Sequence, residues 1–214
     1  MFIGHFALGL AAKRAVPRVS LGLLFAAAQL ADVLWPIFLA IGLEQVRIDP
    51  GNTAFTPLDF VSYPYSHSLA LLIVWGLVFG WIAAARRWPV FAVILTLVVS
   101  HWVLDYVTHR PDMPLYPGGP KVGLGLWNSV PATLAVEVPL YLAGLWIYFR
   151  TTRPLDAIGR WSFGLLAATL LLIYIGNLAA PPPPSVTALW IVGIAGSVIF
   201  LAWAWWADRH RDAI

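Results

Sequence analysis

The 214 residues are 60% hydrophobic and only 11% charged; a soluble domain carries about 25% charged residues, so that class is excluded and lipid must cover much of the surface. The net charge of +3 comes from basic residues clustered between apolar runs, where loop anchors stand, which argues against nucleic acid as a partner. No cysteine is present, which removes disulfides, thiolate nucleophiles and Cys-ligated zinc or iron–sulfur chemistry, so any metal must be held by nitrogen and oxygen.

A membrane-spanning helix needs about 20 mostly apolar residues. The first apolar stretch, Phe2 to Val16, falls short of this, at roughly 22 Å for about 1.5 Å per residue, and is read as either nearly spanning or re-entrant. It does not resemble a cleavable signal peptide, because its positive charges follow the apolar run and His5 interrupts it. Spans are expected next at about 19–43, 66–85, 88–107, 128–150, 161–179 and 186–207. None of these runs has the period-two alternation of a membrane β-barrel strand. The expected fold is all-α: a polytopic transmembrane helical bundle of about six spanning helices plus a short N-terminal apolar helix. Residues 1–150 form the bundle that carries the site, and 151–214 a C-terminal two-helix hairpin.

The basic residues set an orientation. Lys13, Arg14, Arg18, Arg86, Arg87, Arg150, Arg153, Arg160, Arg209 and Arg211 fall on one side of an up-and-down topology, while Arg47, Arg110 and Lys121 fall on the other. The positive-inside rule places the first group in the cytoplasm and makes the chain a multi-pass inner (plasma) membrane protein. The Pro- and Gly-rich connections 44–65 and 108–127 are then outside, and connections of that length often carry function. The stretch YPGGPKVGLGLW lacks the Lys-Ser/Thr ending of a P-loop and reads as a plain loop.

Several ionisable residues stand inside the apolar runs, where each costs at least about 2.5–3.5 kcal/mol at the bilayer centre and by default marks function. Measured from the cytoplasmic basic residues at about 1.5 Å per residue, Asp32, His101 and Glu137 lie roughly 20–21 Å deep. Asp105 and His67 lie near 27–29 Å, and His5 at roughly 12–20 Å. Five segments thus bring polar groups to the outer half of a membrane about 30 Å thick, and no second polar layer continues to the cytoplasmic side. His101 and Asp105 are one helical turn apart and share a face. The set His5, Asp32, His67, His101 and Asp105 offers three imidazoles and two carboxylates, which suits Zn, Mn or Fe and leaves room for one ion or two. Each residue also has a structural reading. His5 would pack at the interface, Asp32 would bond between helices and His67 would belong to a cap; His101 with Asp105 would be a salt-linked pair, and Glu137 would pair with an Arg or the backbone. His109 and His210 stand in a loop and the tail, where solvation is the plain reading.

The blocks GHFALGLAAKR, QLADVLWP, YPYSHSL and SHWVLDYVTHRPDMPL, spread over roughly the first 115 residues, resemble the YdjM-type family of membrane-bound metal-dependent hydrolases. The resemblance places His5, Asp32, His67-Ser68, His101 and Asp105 at that family's motif positions and implies metal dependence and hydrolysis. Many members carry two carboxylates near the first Asp, whereas Asp32 is followed here by Val33-Leu34-Trp35, so a second ion would need Glu137 in their place. The expected protein is a hydrolase with a divalent metal, zinc first, acting from the outer leaflet on a lipid or lipid-linked phosphate or ester. Glu137 would serve as general base or as partner of a ligating His, and His109, Arg110 and Lys121 would contact an anionic group. A proton- or metal-coupled transporter, and a non-catalytic scaffold with a structural metal, are the alternatives. Membrane lipid is the expected partner, and homo-oligomerisation is left open.

Overall fold

The structure is a computed structural model that describes residues 1–84 and 86–214. Among these, nine α-helices are joined by three short two-stranded antiparallel ribbons. Helix α1 is Ile3–Ala12, α2 Leu21–Ala28, α3 Leu30–Ala40, α4 Pro64–His67 and α5 Leu69–Ala84. Helix α6 is Trp88–Thr108, α7 Val130–Thr151, α8 Ala157–Gly176 and α9 Val186–Arg209. Four of them, α6 to α9, are long and apolar enough to cross a membrane, and α2 with α3 makes a fifth if the bent pair is counted as one span.

Six spans are therefore not what the chain forms, and two segments account for the difference. The 19–43 run breaks at Gln29, where the axis turns by 61°. The expected 66–85 span is divided: Pro64 starts the one-turn helix α4, Ser68 is extended, and α5 begins only at Leu69. That leaves 16 residues in α5, roughly 24 Å of helix; Ala85, the end of the expected span, lies outside the described residues. Apolar composition alone carries no information about such breaks, because backbone at membrane depth can leave the helix wherever protein covers it.

Helix starts follow local rules. Ser20, Ser129, Asp156 and Ser185 cap α2, α7, α8 and α9, each side chain accepting from a backbone N–H of the first turn. Helix α1 sits at the centre, packed against α2, α6 and α7, and seven of its ten residues are buried. At roughly 15 Å it is too short to span alone. Helix α5 lies along α6, and α9 crosses both α2 and α3. Large apolar side chains such as Trp81, Ile82, Leu172 and Val192 point outward, as they do on a surface covered by acyl chains.

A second buried polar cluster corrects the expectation that no polar layer continues beyond the first. At the far end of α1, Lys13 Nζ donates to Asp208 Oδ2 at 2.5 Å and to the Val19 carbonyl at 2.9 Å. Asp208 also accepts from the Leu21 N–H at 2.9 Å and the Tyr148 hydroxyl at 2.7 Å. Asp208 is the acidic residue in the last turn of α9. The pair ties the ends of α1 and α9 to the start of α2.

Candidate metal centre

Two groups of metal-competent side chains share His101: His5, His101 and Asp105, and Asp32, His67 and His101. They come from α1, α3, α4 and α6, so the five residues named from depth along the chain stand together in the fold. His101 Nε2 lies 3.1 Å from Asp105 Oδ2 and 3.8 Å from Asp32 Oδ1. His67 Nε2 lies 3.5 Å from Asp32 Oδ1 and 3.8 Å from Asp105 Oδ2. Asp105 turns its other oxygen, Oδ1, toward His5 Nε2 at 3.0 Å. The His5 and His101 rings stack with centroids 3.6 Å apart. The Met1 ammonium donates to Asp105 Oδ1 and, at 3.2 Å, to Thr108 Oγ1.

The bend in the second segment has a direct use here. In a straight helix the Ala28 carbonyl would accept from the N–H of residue 32. At the Gln29 break it accepts instead from His101 Nδ1 at 2.8 Å. A carbonyl can only accept, so Nδ1 carries a proton, and Nε2 is the nitrogen left to coordinate an ion. His101 Nε2 is fully buried and has no hydrogen-bond partner.

His67 is held by a different device. Its Nδ1 lies 2.7 Å from Ser66 Oγ, and Ser66 Oγ donates to Glu44 Oε2 at 2.6 Å. Glu44 Oε1 accepts from the backbone N–H groups of Tyr65 and Ser66, both at 2.8 Å. Glu44 is buried and follows α3 by way of a turn in which Gly42 has φ of +73°. Sequence reasoning missed Glu44, because nothing in the spacing of a lone carboxylate at the edge of a loop links it to a Ser-His pair so far along the chain.

Glu137 and His109 stand outside both donor groups. Glu137 Oε2 accepts from the backbone N–H groups of Phe2 at 2.9 Å and Gly4 at 3.3 Å, satisfying the first turn of α1 and so fixing the helix that carries His5. Its Oε1 is buried without a partner. His109, just past α6, belongs to a buried cap with Tyr63, Asp112, Phe60 and Trp127. Its Nδ1 lies 2.9 Å from Asp112 Oδ1, which also accepts from the Tyr63 hydroxyl at 2.7 Å. Burial pushes the His109 imidazole below its ordinary range against the pull of Asp112, and burial together with the Asp112 charge pushes the Tyr63 phenol well up. The Tyr63 ring packs against His67 with centroids 5.1 Å apart, so the cap sits directly on the donor cluster.

The two basic residues expected to meet an anion are engaged within the chain. Arg110 pairs with Asp59 at 2.5 Å, and Lys121 donates to the Val61 carbonyl at 3.0 Å. His210, in the tail, pairs with Asp156 at 2.6 Å.

No family model, no curated protein and no solved structure matches this chain.

Proposed function

We propose that this is a membrane-embedded, metal-dependent hydrolase with its centre at His67, His101, Asp32 and Asp105. The observation that carries the reading is the set of short approaches between imidazole Nε2 atoms and carboxylate oxygens in two donor triads that share His101. Donors about 2.0–2.2 Å from a tetrahedral ion stand about 3.3–3.6 Å apart. The four contacts between imidazole Nε2 and carboxylate oxygen span 3.1 to 3.8 Å. Two imidazole nitrogens and two carboxylates facing one another fit a divalent cation, and nitrogen with oxygen donors favours zinc, then manganese or iron. His5 belongs to the neighbouring group through Asp105 Oδ1, and a second ion would draw on that side.

Bound there, such an ion would acidify a water and polarise a phosphoryl or carbonyl oxygen. The remaining roles fall to side chains. Asp32, the one donor whose side chain is substantially exposed, receives whatever reaches the site. Glu137, buried against the first turn of α1, is the carboxylate we assign to proton transfer. Because the helices around the centre are apolar and face lipid, the substrate class that reaches it is a lipid or lipid-linked phosphate or ester. The bias of basic residues supports an inner-membrane location with the centre toward the outer leaflet.

The first test is elemental analysis of detergent-purified protein beside His101→Ala and Asp32→Ala. About one or two equivalents of zinc, manganese or iron, lost in both variants while the protein stays monodisperse, supports the centre. A wild type that takes up no metal even after reconstitution overturns it and turns attention to a proton relay.

A further inference from the structure

We propose that Glu44 is a positioning residue that, through Ser66, fixes the tautomer of His67; the consequence for metal affinity rests on the metal-centre reading above, and the tautomer itself does not. The argument is an accounting of protons. Glu44 is an acceptor on both oxygens. Its Oε1 takes two backbone N–H groups, from Tyr65 and Ser66, which holds the carboxylate in one orientation. Its Oε2 takes the single hydroxyl proton of Ser66 at 2.6 Å. Ser66 Oγ then has only lone pairs left for His67 Nδ1 at 2.7 Å, so that nitrogen must carry the proton and donate. The Nε2 lone pair is left facing Asp32 and the other donors. All three residues are buried, at 2%, 0% and 3% exposure, so water does not offer the imidazole another partner.

The arrangement is a carboxylate–hydroxyl–imidazole chain, and it does for His67 what the Ala28 carbonyl does for His101. The two imidazoles of the centre are thus committed to the same tautomer by unrelated means. A backbone carbonyl cannot be altered by a side-chain substitution, whereas the Glu44 chain can be reversed by a single atom.

Glu44→Gln makes that reversal. The two backbone N–H groups require the amide oxygen on their side, because the opposite orientation sets donors against donors. The amide NH2 then faces Ser66 Oγ and donates to it. Ser66 turns its own proton to His67 Nδ1, and the imidazole proton moves to Nε2, where it blocks the lone pair. Nothing else in the site changes size.

The experiment is 15N NMR of histidine-labelled, metal-free protein in detergent, with the His67 signals assigned by their loss in His67→Gln, paired with zinc competition titrations. Wild type is expected to show His67 protonated at Nδ1. Glu44→Gln is expected to show it protonated at Nε2 and to bind zinc about 10–100-fold more weakly. Ser66→Ala, the second variant should Glu44→Gln fold poorly, is expected to lose the Nδ1 preference. An unchanged Nδ1–H signal in a folded Glu44→Gln or Ser66→Ala protein overturns the assignment. Absence of zinc binding in the wild type overturns the metal reading instead, and the tautomer comparison still decides the role of Glu44.

Discussion

At the scale of single residues, the buried cap makes the chain's stability depend on pH through His109. Its proton affinity is lowered in the fold by burial, so between that lowered value and about 6.5, the ordinary imidazole value, the unfolded chain binds more protons. The stability gained from a neutral His109 is complete above about 6.5 and is lost as the pH falls through that value toward the folded one. Thermal unfolding in detergent is expected to show a lower midpoint at pH 5.5 than at pH 7.5, with a smaller difference in His109→Gln. Equal pH dependence in the two proteins would show that other groups carry it. Asp112 and the Tyr63 hydroxyl face this imidazole, and Arg110 pairs with Asp112.

Between elements, Gly144 sets how closely α7 approaches α1, the helix that carries His5. Gly144 of α7 lies against the backbone of Ala7, two residues from His5, and a Cβ there would stand 2.6 Å from the Ala7 carbonyl oxygen and 2.8 Å from its Cα. Backbone cannot step aside as a side-chain tip can, so Gly144→Ala is expected to push α1 away, cost about 1–3 kcal/mol and weaken metal retention. Gly164→Ala, with nothing within 4 Å, is the neutral control in the same unfolding assay. This scale also marks what the sequence could and could not convey. The helical runs from α6 to α9 were legible because apolar length alone specifies them. The division between Ser68 and Leu69, and the bend at Gln29, were not, since the partners that satisfy the interrupted backbone come from elsewhere in the chain. The same contrast holds for the site. Ionisable residues inside apolar runs stand out, so His5, Asp32, His67, His101 and Asp105 were legible as candidates, although the bend at Gln29 and the break at Ser68 change the depths that straight helices imply. The Ala28 carbonyl and Glu44 do not stand out in this way.

For the whole molecule, the Lys13–Asp208 pair links the first helix to the last. Both side chains are only 6% exposed, and removing one partner leaves a buried charge without compensation. Asp208→Ala is expected to cost about 3–5 kcal/mol, while the double substitution Lys13→Met with Asp208→Leu recovers most of it. Metal content should be that of the wild type in the double variant, because roughly 12 Å of helix separates Lys13 from His5. A double variant as unstable as the single one would mean that the hydrogen bonds from Leu21 and Tyr148 to Asp208, and not the charge pair, hold the two ends together.

The uneven burial of the donors bears on time as well as on affinity. The side chains of His5, His67, His101 and Asp105 are between 0% and 4% exposed, whereas that of Asp32 is 38% exposed. Among the donors, Asp32 is the one that an arriving ion would meet first. How tightly it is held and how often it is exchanged would then be governed by different residues. Substitution at Asp32 is then expected to change the rate at which a chelator removes the ion more than substitution at the buried donors does.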